Sequence, residues 1–335
     1  MEGAHPLILR RLAEINLDKN IGYGLDPYCD SAREAIRDFC DCPGADVLFT
    51  VGGTQTNAVV IDALLSYNES ILAAATGHIN VHESGAIEAC GHKVKTIASR
   101  QGKIDLDALE EYLATMWAEY DAVGREHYAV ERAVYISQPT ELGTLYSLAE
   151  LQRLRAVCDR FGLRVFLDGA RLGYGLGAPA NDVSISDIAR LVDVFYIGGT
   201  KVGALMGEAI VVPNPEVHIT RGMIKRRGAL LAKGWLLGVQ FDTLIGGGLY
   251  VEVGRNAVAQ AMRIRQAMVE RGFELYLDSP TNQQFFVVDN ETFDRLSLKV
   301  GFDTIARLDA GRVVIRLCTS WATTDSQVDE LIASL

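Results

Sequence analysis

Two short motifs constrain this chain more than anything else in it: Asp168-Gly-Ala-Arg171 and Gly198-Gly-Thr-Lys201, with 33 residues from Asp168 to Lys201. Each closes an apolar run, Val165-Phe-Leu-Asp168 and Val194-Phe-Tyr-Ile197. Runs of this kind, rich in β-branched and aromatic residues, read as strands buried in a parallel sheet. The spacing is long enough for one strand–helix–strand unit. A carboxylate and a lysine therefore both stand where strands end, which in an open α/β sheet is the edge that binds ligands. A lysine leaving a strand into a glycine-rich turn is a poor structural residue but a good Schiff-base nucleophile. A nearby aspartate is the partner that a pyridinium nitrogen needs, so the pair points to pyridoxal phosphate chemistry.

The rest of the chain agrees with a sheet of that type. Apolar runs at 47–51, 71–75, 94–97, 133–136, 165–167, 194–197 and 209–212 alternate with helical patterns at 57–66, 106–120, 147–161 and 184–191. Alternation of this sort predicts an α/β fold with a mostly parallel sheet flanked by helices. After Pro215 the pattern changes. Two long helices are expected at 224–245 and 251–271, split by Gly246-Gly-Gly248. A smaller α+β unit follows, with strands at 284–288 and 312–316 and a last helix capped at Thr324 or Asp325. The expected division is a large cofactor-binding domain over 1–245 and a small C-terminal domain over 246–335.

Composition narrows the class of partner. The 335 residues carry a net charge of −11, which argues mildly against nucleic acid or an anionic membrane surface. No apolar run reaches the roughly 18–20 residues that would span a bilayer. No basic stretch leads into an apolar one at the N-terminus, so no signal peptide is expected. The six cysteines form no C-x-x-C pair, and buried thiols in a reduced, cytoplasmic protein are expected.

Further residues gather around the same sheet edge. Gly52-Gly-Thr-Gln-Thr-Asn57 follows a strand and opens a helix, where free N–H groups, the helix dipole and the Thr54 hydroxyl can hold a phosphate. The plainer reading is a tight turn capped by Thr54. His78 follows the run 71–75, so its imidazole can stack on a pyridine ring and share in proton transfer. His82 would share a helical face with His78, but Glu83 follows the second histidine and the H-E-x-x-H order is absent, so no metal is expected. His92 reads as a structural histidine. Arg171 and Arg316, from different domains, suit bidentate binding of an amino-acid carboxylate, with a salt bridge as the plain alternative for either. Lys225, Arg226, Arg227 and Lys233 form a basic cluster that is either a solvated helix face or a phosphate clamp reaching a neighbouring subunit.

Together these residues resemble the low-specificity L-threonine aldolases, within the pyridoxal-phosphate-dependent β-eliminating lyases of fold type I, over nearly the whole chain. The most specific matching pieces are 52–57, His78 with Glu83, 168–172, 198–201 and Val314-Ile-Arg-Leu-Cys-Thr-Ser-Trp321. Gly22-Tyr-Gly-Leu-Asp-Pro27 is similar to the family's early tyrosine loop, which puts Tyr23 at a partner's active site. The resemblance implies that Lys201 forms the Schiff base with the cofactor, Asp168 keeps the ring nitrogen protonated and His78 stacks on the ring. It implies that Gly52, Gly53, Thr54 and Thr200 line the cofactor, with Lys225 or Lys233 helping from another subunit. Arg171 and Arg316 would hold the substrate carboxylate, with His82 and Tyr23 nearby. The implied reaction is retro-aldol cleavage of a β-hydroxy-α-amino acid to glycine and an aldehyde, by a homodimer or homotetramer with shared active sites. The alternative is β-elimination or amino transfer on a related amino acid. The chain departs from the family in two places. Thr140 stands near the position of a second family histidine, a proposed hydroxyl base, and no short segment with Ser and Asp precedes Gly3.

Overall fold

A computed structural model describes residues 2–335. In chain order its strands are β1 (Asp46–Thr50), β2 (Glu69–Ala74), β3 (Lys93–Ile97), the two-residue pair β4 (Ser99–Arg100) and β5 (Lys103–Ile104), β6 (Val130–Ser137), β7 (Arg164–Asp168), β8 (Val194–Gly198), β9 (Glu208–Val212), β10 (Glu274–Leu277), β11 (Gln283–Asp289), β12 (Asp303–Arg307) and β13 (Arg312–Cys318). Seven of them form the large sheet, in the order β1-β9-β8-β7-β6-β2-β3. The pairs from β8 to β3 are all parallel, and β9 runs against both of its neighbours.

Side chains of this sheet divide by the two-residue period of a strand. Val134, Ile136, Val165, Leu167, Phe195 and Ile197 enter one core, while Ala133, Tyr135, Phe166, Val194 and Tyr196 enter another on the opposite face. Both faces are covered, which is why these strands read as continuous apolar runs. Helix Gly53–Leu64 covers the second face through Val59, Val60 and Ile61. Crossover helices Leu148–Phe161 and Ile185–Leu191 start in capping boxes, Ser147 with Glu150 and Ser184 with Asp187. Loss of a fully buried side chain such as Phe166 would cost about 3–5 kcal/mol.

The C-terminal strands form an antiparallel sheet, β10-β11-β13-β12. Phe286, Val288, Val313, Ile315 and Leu317 build its core with Ile264 and Met268 of helix Leu249–Glu270 and Val328 and Leu331 of the last helix, Asp325–Ser334. Helix Leu249–Glu270 also packs on the large sheet's side. A Cβ on Gly254 would stand 2.0 Å from the carbonyl oxygen of Gly173, so only glycine permits this approach.

The single helix expected at 224–245 does not form. Instead, helix Arg221–Arg226 stops before Gly228, which lies at φ +77°, and helix Trp235–Phe241 begins after Gly234 and runs into a wider turn over Asp242–Gly246. The apolar periodicity persists across these breaks, but the glycine backbone ends the first helix. Thr324 caps the last helix as expected. The sequence reading did not assign the edge strands β10 and β12 or helix Asn290–Ser297, which carry mixed, partly exposed sequences. Among the described residues no helix is long and apolar enough to cross a membrane.

Candidate active site

β6, β7 and β8 are parallel, so their C-terminal ends lie at one edge. Ser137 and Asp168 are register partners there, and Gly198 ends the next strand. Asp168 is buried at the end of β7. Its Oδ1 accepts the backbone N–H of Ala170 at 2.9 Å. Its Oδ2 accepts the Tyr135 hydroxyl at 2.6 Å and the Asn57 amide at 3.3 Å. The turn after it requires glycine, because a Cβ on Gly169 would lie 1.9 Å from the carbonyl oxygen of Tyr196.

The turn that carries Lys201 is fixed from several sides. Glu208 accepts the N–H of Gly199 at 2.9 Å, and Tyr250 donates to the carbonyl of Gly198 at 2.9 Å. The Tyr174 hydroxyl donates to the carbonyl of Lys201 itself. The Thr200 hydroxyl accepts the N–H of Gly207 at 3.0 Å, so it closes the turn. The Lys201 amine has no hydrogen-bond or ion-pair partner among the described residues. Burial pushes its pKa down, and the nearby Arg171 guanidinium adds to this. Beneath it, burial raises the Glu208 carboxyl to about 8. Sequence reading missed Glu208. Its one signal was a charge opening the buried run Ala209-Ile-Val-Val212.

His78 begins the short helix His78–Val81, and its Nδ1 lies 2.7 Å from Glu83 Oε1. The same Glu83 oxygen accepts the Asn57 amide at 2.6 Å. A continuous chain His78–Glu83–Asn57–Asp168 therefore joins the imidazole to the carboxylate at the end of β7. The His82 ring centroid is 5.6 Å from that of His78, and burial holds its pKa below the usual histidine value.

Gly53, His78, Asp168, Arg171, Tyr196 and Lys201 line one cleft, together with Ser137 and Glu141. Past Arg171 and Lys201 lies a second hollow of about 210 Å³, walled by Tyr174, Asn282, Cys318 and Trp321. Arg171 has no intramolecular partner for its guanidinium among the described residues. Arg316 does: its Nη1 donates to Gln283 at 2.9 Å and its Nη2 to Asp303 at 2.8 Å. Thr140 is buried with its hydroxyl 2.7 Å from that of Thr144. The next residue, Glu141, faces the cleft in its place, a position that the sequence reading passed over.

Not every expected residue meets here. Tyr23, Lys225 and Lys233 do not line the cleft of their own chain. The Lys225 amine sits 4.9 Å from the centre of the Tyr23 ring, and all three side chains are exposed. Arg226 and Arg227 both pair with Asp62. His92 is buried 3.5 Å from Asp62.

The donor set suits pyridoxal phosphate. An unpartnered amine faces a cleft with a buried carboxylate suited to a cationic ring nitrogen. Helix Gly53–Leu64 opens on Gly52 with no side-chain cap, leaving its first N–H groups available to an anion. A Cβ on Gly53 would come within 3.2 Å of the Tyr196 hydroxyl, so glycine keeps this end open. Fold and cleft together define a pyridoxal-phosphate-dependent enzyme of fold type I. The sequence matches the beta-eliminating lyase family over residues 4–272, and the chain belongs to that family. It is 28% identical to a low specificity L-threonine aldolase of Pseudomonas sp., over 93% of this chain and 88% of that protein. The structure of Leishmania major threonine aldolase superposes with a TM-score of 0.94 at 39% identity, covering 99% of this chain and 95% of that one. Serine palmitoyltransferase of Sphingomonas wittichii, at 15% identity and a TM-score of 0.74 over 98% of this chain and 82% of that one, shares the fold.

Proposed function

We propose that the protein cleaves a β-hydroxy-α-amino acid of the L-threonine or L-allo-threonine type to glycine and an aldehyde. The observation that carries this reading is the convergence of two unpartnered basic side chains, Lys201 and Arg171, on a cleft with a buried Asp168. The likeness to threonine aldolases over most of the chain supports it. Pyridoxal phosphate, when bound, supplies an electron sink for the pair released at the substrate's Cα. Lys201 would hold its aldehyde carbon, and Asp168 would hold the proton on its ring nitrogen. The imidazole of His78, fixed at Nδ1 by Glu83, would stack on the ring. The N–H groups at 52–54 and the Thr54 hydroxyl would bind the phosphate, while Thr200 keeps the lysine turn closed. Arg171 receives the substrate carboxylate bidentately, and Arg316 completes the clamp from β13, beside His82.

This reading includes an assembly of two or four copies. The exposed patch of Tyr23, Lys225 and Lys233 suits a neighbour's cleft, where the lysines would add positive charge near the phosphate. It also takes residues 1–245 as the cofactor domain and 246–335 as the small domain. The free thiols fit a cytoplasmic setting. Glycine release from L-threonine, L-allo-threonine and phenylserine by the holoenzyme tests the proposal, with Lys201→Ala as the blank. Lysine-dependent glycine supports it. Ammonia and a keto acid without glycine would replace it with β-elimination, and dependence on a keto-acid acceptor would replace it with amino transfer.

A further inference from the structure

Cleavage of a β-hydroxy amino acid needs a group that takes the hydroxyl proton, and the cleft contains one that the sequence motifs do not mark. Glu141 lies just beyond the end of β6. Its Oε1 accepts the backbone N–H of His78 at 2.9 Å and the Ser137 hydroxyl at 2.6 Å. These two bonds fix the carboxyl against the turn that carries the imidazole. Its Oε2 has no hydrogen-bond partner among the described residues, and the residue lines the cleft beside His78 and Lys201. Other titratable groups of the cleft are committed elsewhere, Lys201 to the cofactor in the reading above. Asp168 accepts three hydrogen bonds, His78 is tied to Glu83, and Arg171 is a permanent cation. Thr140 is turned into the interior against Thr144.

We propose that Glu141 is the catalytic base for the substrate hydroxyl, accepting its proton at Oε2. This rests on the retro-aldol reading above. The O–H bond breaks and its electron pair forms the aldehyde C=O. The Cα–Cβ bond breaks, and its pair stays with the glycine carbon. One proton leaves oxygen and one is taken up at Cα, so the glutamate returns to its starting state over a turnover. Burial and the Asp168 charge raise the Glu141 pKa, while the Ser137 hydrogen bond opposes them. A carboxylate raised in this way accepts a proton more readily than an exposed one.

The test is Glu141→Gln in the holoenzyme, a change that keeps an acceptor for His78 and Ser137. Glycine release from L-threonine should fall by about a hundredfold or more. Cofactor affinity and absorbance should stay as in wild type. Exchange of the α-hydrogen of glycine in deuterated water should stay within about threefold of wild type, since glycine has no hydroxyl. Cleavage near the wild-type rate overturns the proposal, because another group then takes the proton. Exchange lost in step with cleavage also overturns it, because Glu141 then only positions His78.

Ser137→Ala gives an independent reading if the first variant folds poorly. The charged and titratable groups facing Glu141 are Asp168, Tyr135, Tyr146 and His78, with Lys201 and Arg171 across the cleft. Ser137→Ala replaces none of these side chains, and it also removes the 3.3 Å contact from the Ser137 hydroxyl to that of Tyr135. Loss of the hydroxyl should move the acidic limb of kcat/KM up by about one pH unit. An unmoved limb overturns the proposal. A wild-type enzyme that exchanges glycine's α-hydrogen yet cleaves no β-hydroxy amino acid would instead refute the retro-aldol reading, and this inference with it.

Discussion

Tyr135 donates its hydroxyl hydrogen to Asp168 Oδ2 at 2.6 Å across the β6–β7 pair, from within the apolar layer that it shares with Phe166 and Tyr196. The phenol is thus part of the core and part of the carboxylate's support. Tyr135→Phe should destabilise the protein by about 1–3 kcal/mol, because the buried carboxylate loses a donor while the ring packing is kept. Urea unfolding of the cofactor-free protein measures this. An unchanged midpoint would show that Asn57 and the Ala170 N–H are sufficient support.

Asp168→Ala should retain part of the cofactor affinity, since Lys201 and the helix N-terminus at Gly53 remain. Glycine release should drop by about a hundredfold or more, the scale on which a lost charge at a reacting centre is felt. Near-wild-type turnover would refute a role for this carboxylate at the ring nitrogen.

Arg316→Ala should raise KM by about tenfold or more while the cofactor absorbance stays unchanged, because an Arg–carboxylate contact is charge-assisted and bidentate. The Asp303 partner of Arg316 is more than half exposed, and such pairs contribute little. Asp303→Asn should therefore alter KM by about threefold at most. A larger change would mean that the ion pair, and not the free guanidinium, sets the site.

Glu208 gives the cofactor-free protein a pH signature. Burial pushes its carboxyl up to about 8 in the fold, from an ordinary value of 4.5. Between these values the folded chain binds more protons than the unfolded one, so this group's contribution to stability falls as pH rises from about 5 to 8. Glu208→Gln should flatten that part of the profile relative to wild type, as read from urea midpoints at pH 5 and pH 8. Parallel profiles for the two proteins would show that Glu208 is charged throughout.

Much of the site was legible in the sequence because each motif is local. Asp168 and Lys201 end buried strands, the glycines at 52–53 open a helix, and His78 follows a strand in the same sheet. These residues reach one edge by the parallel order alone. Glu141 and Glu208 gave no such signal. A glutamate two residues past a proline, or at the head of an apolar run, has no periodic mark, and its meaning comes from what is folded against it. The helix expected at 224–245 failed for a related reason. Apolar spacing continued across Gly228, but its left-handed conformation interrupted the backbone.

The sequence by itself determined the strand–helix alternation, the sheet's buried character and the chemical pair of lysine and aspartate, since these depend on periodicity and residue type within short windows. The tertiary structure decided which groups are left free. It placed Thr140 inside and Glu141 in the cleft, tied Arg316 to Asp303, left Arg171 unpartnered and put Tyr23 with Lys225 on the surface. Whether a polar group is satisfied or available depends on neighbours tens to hundreds of residues away, and only packing brings them together.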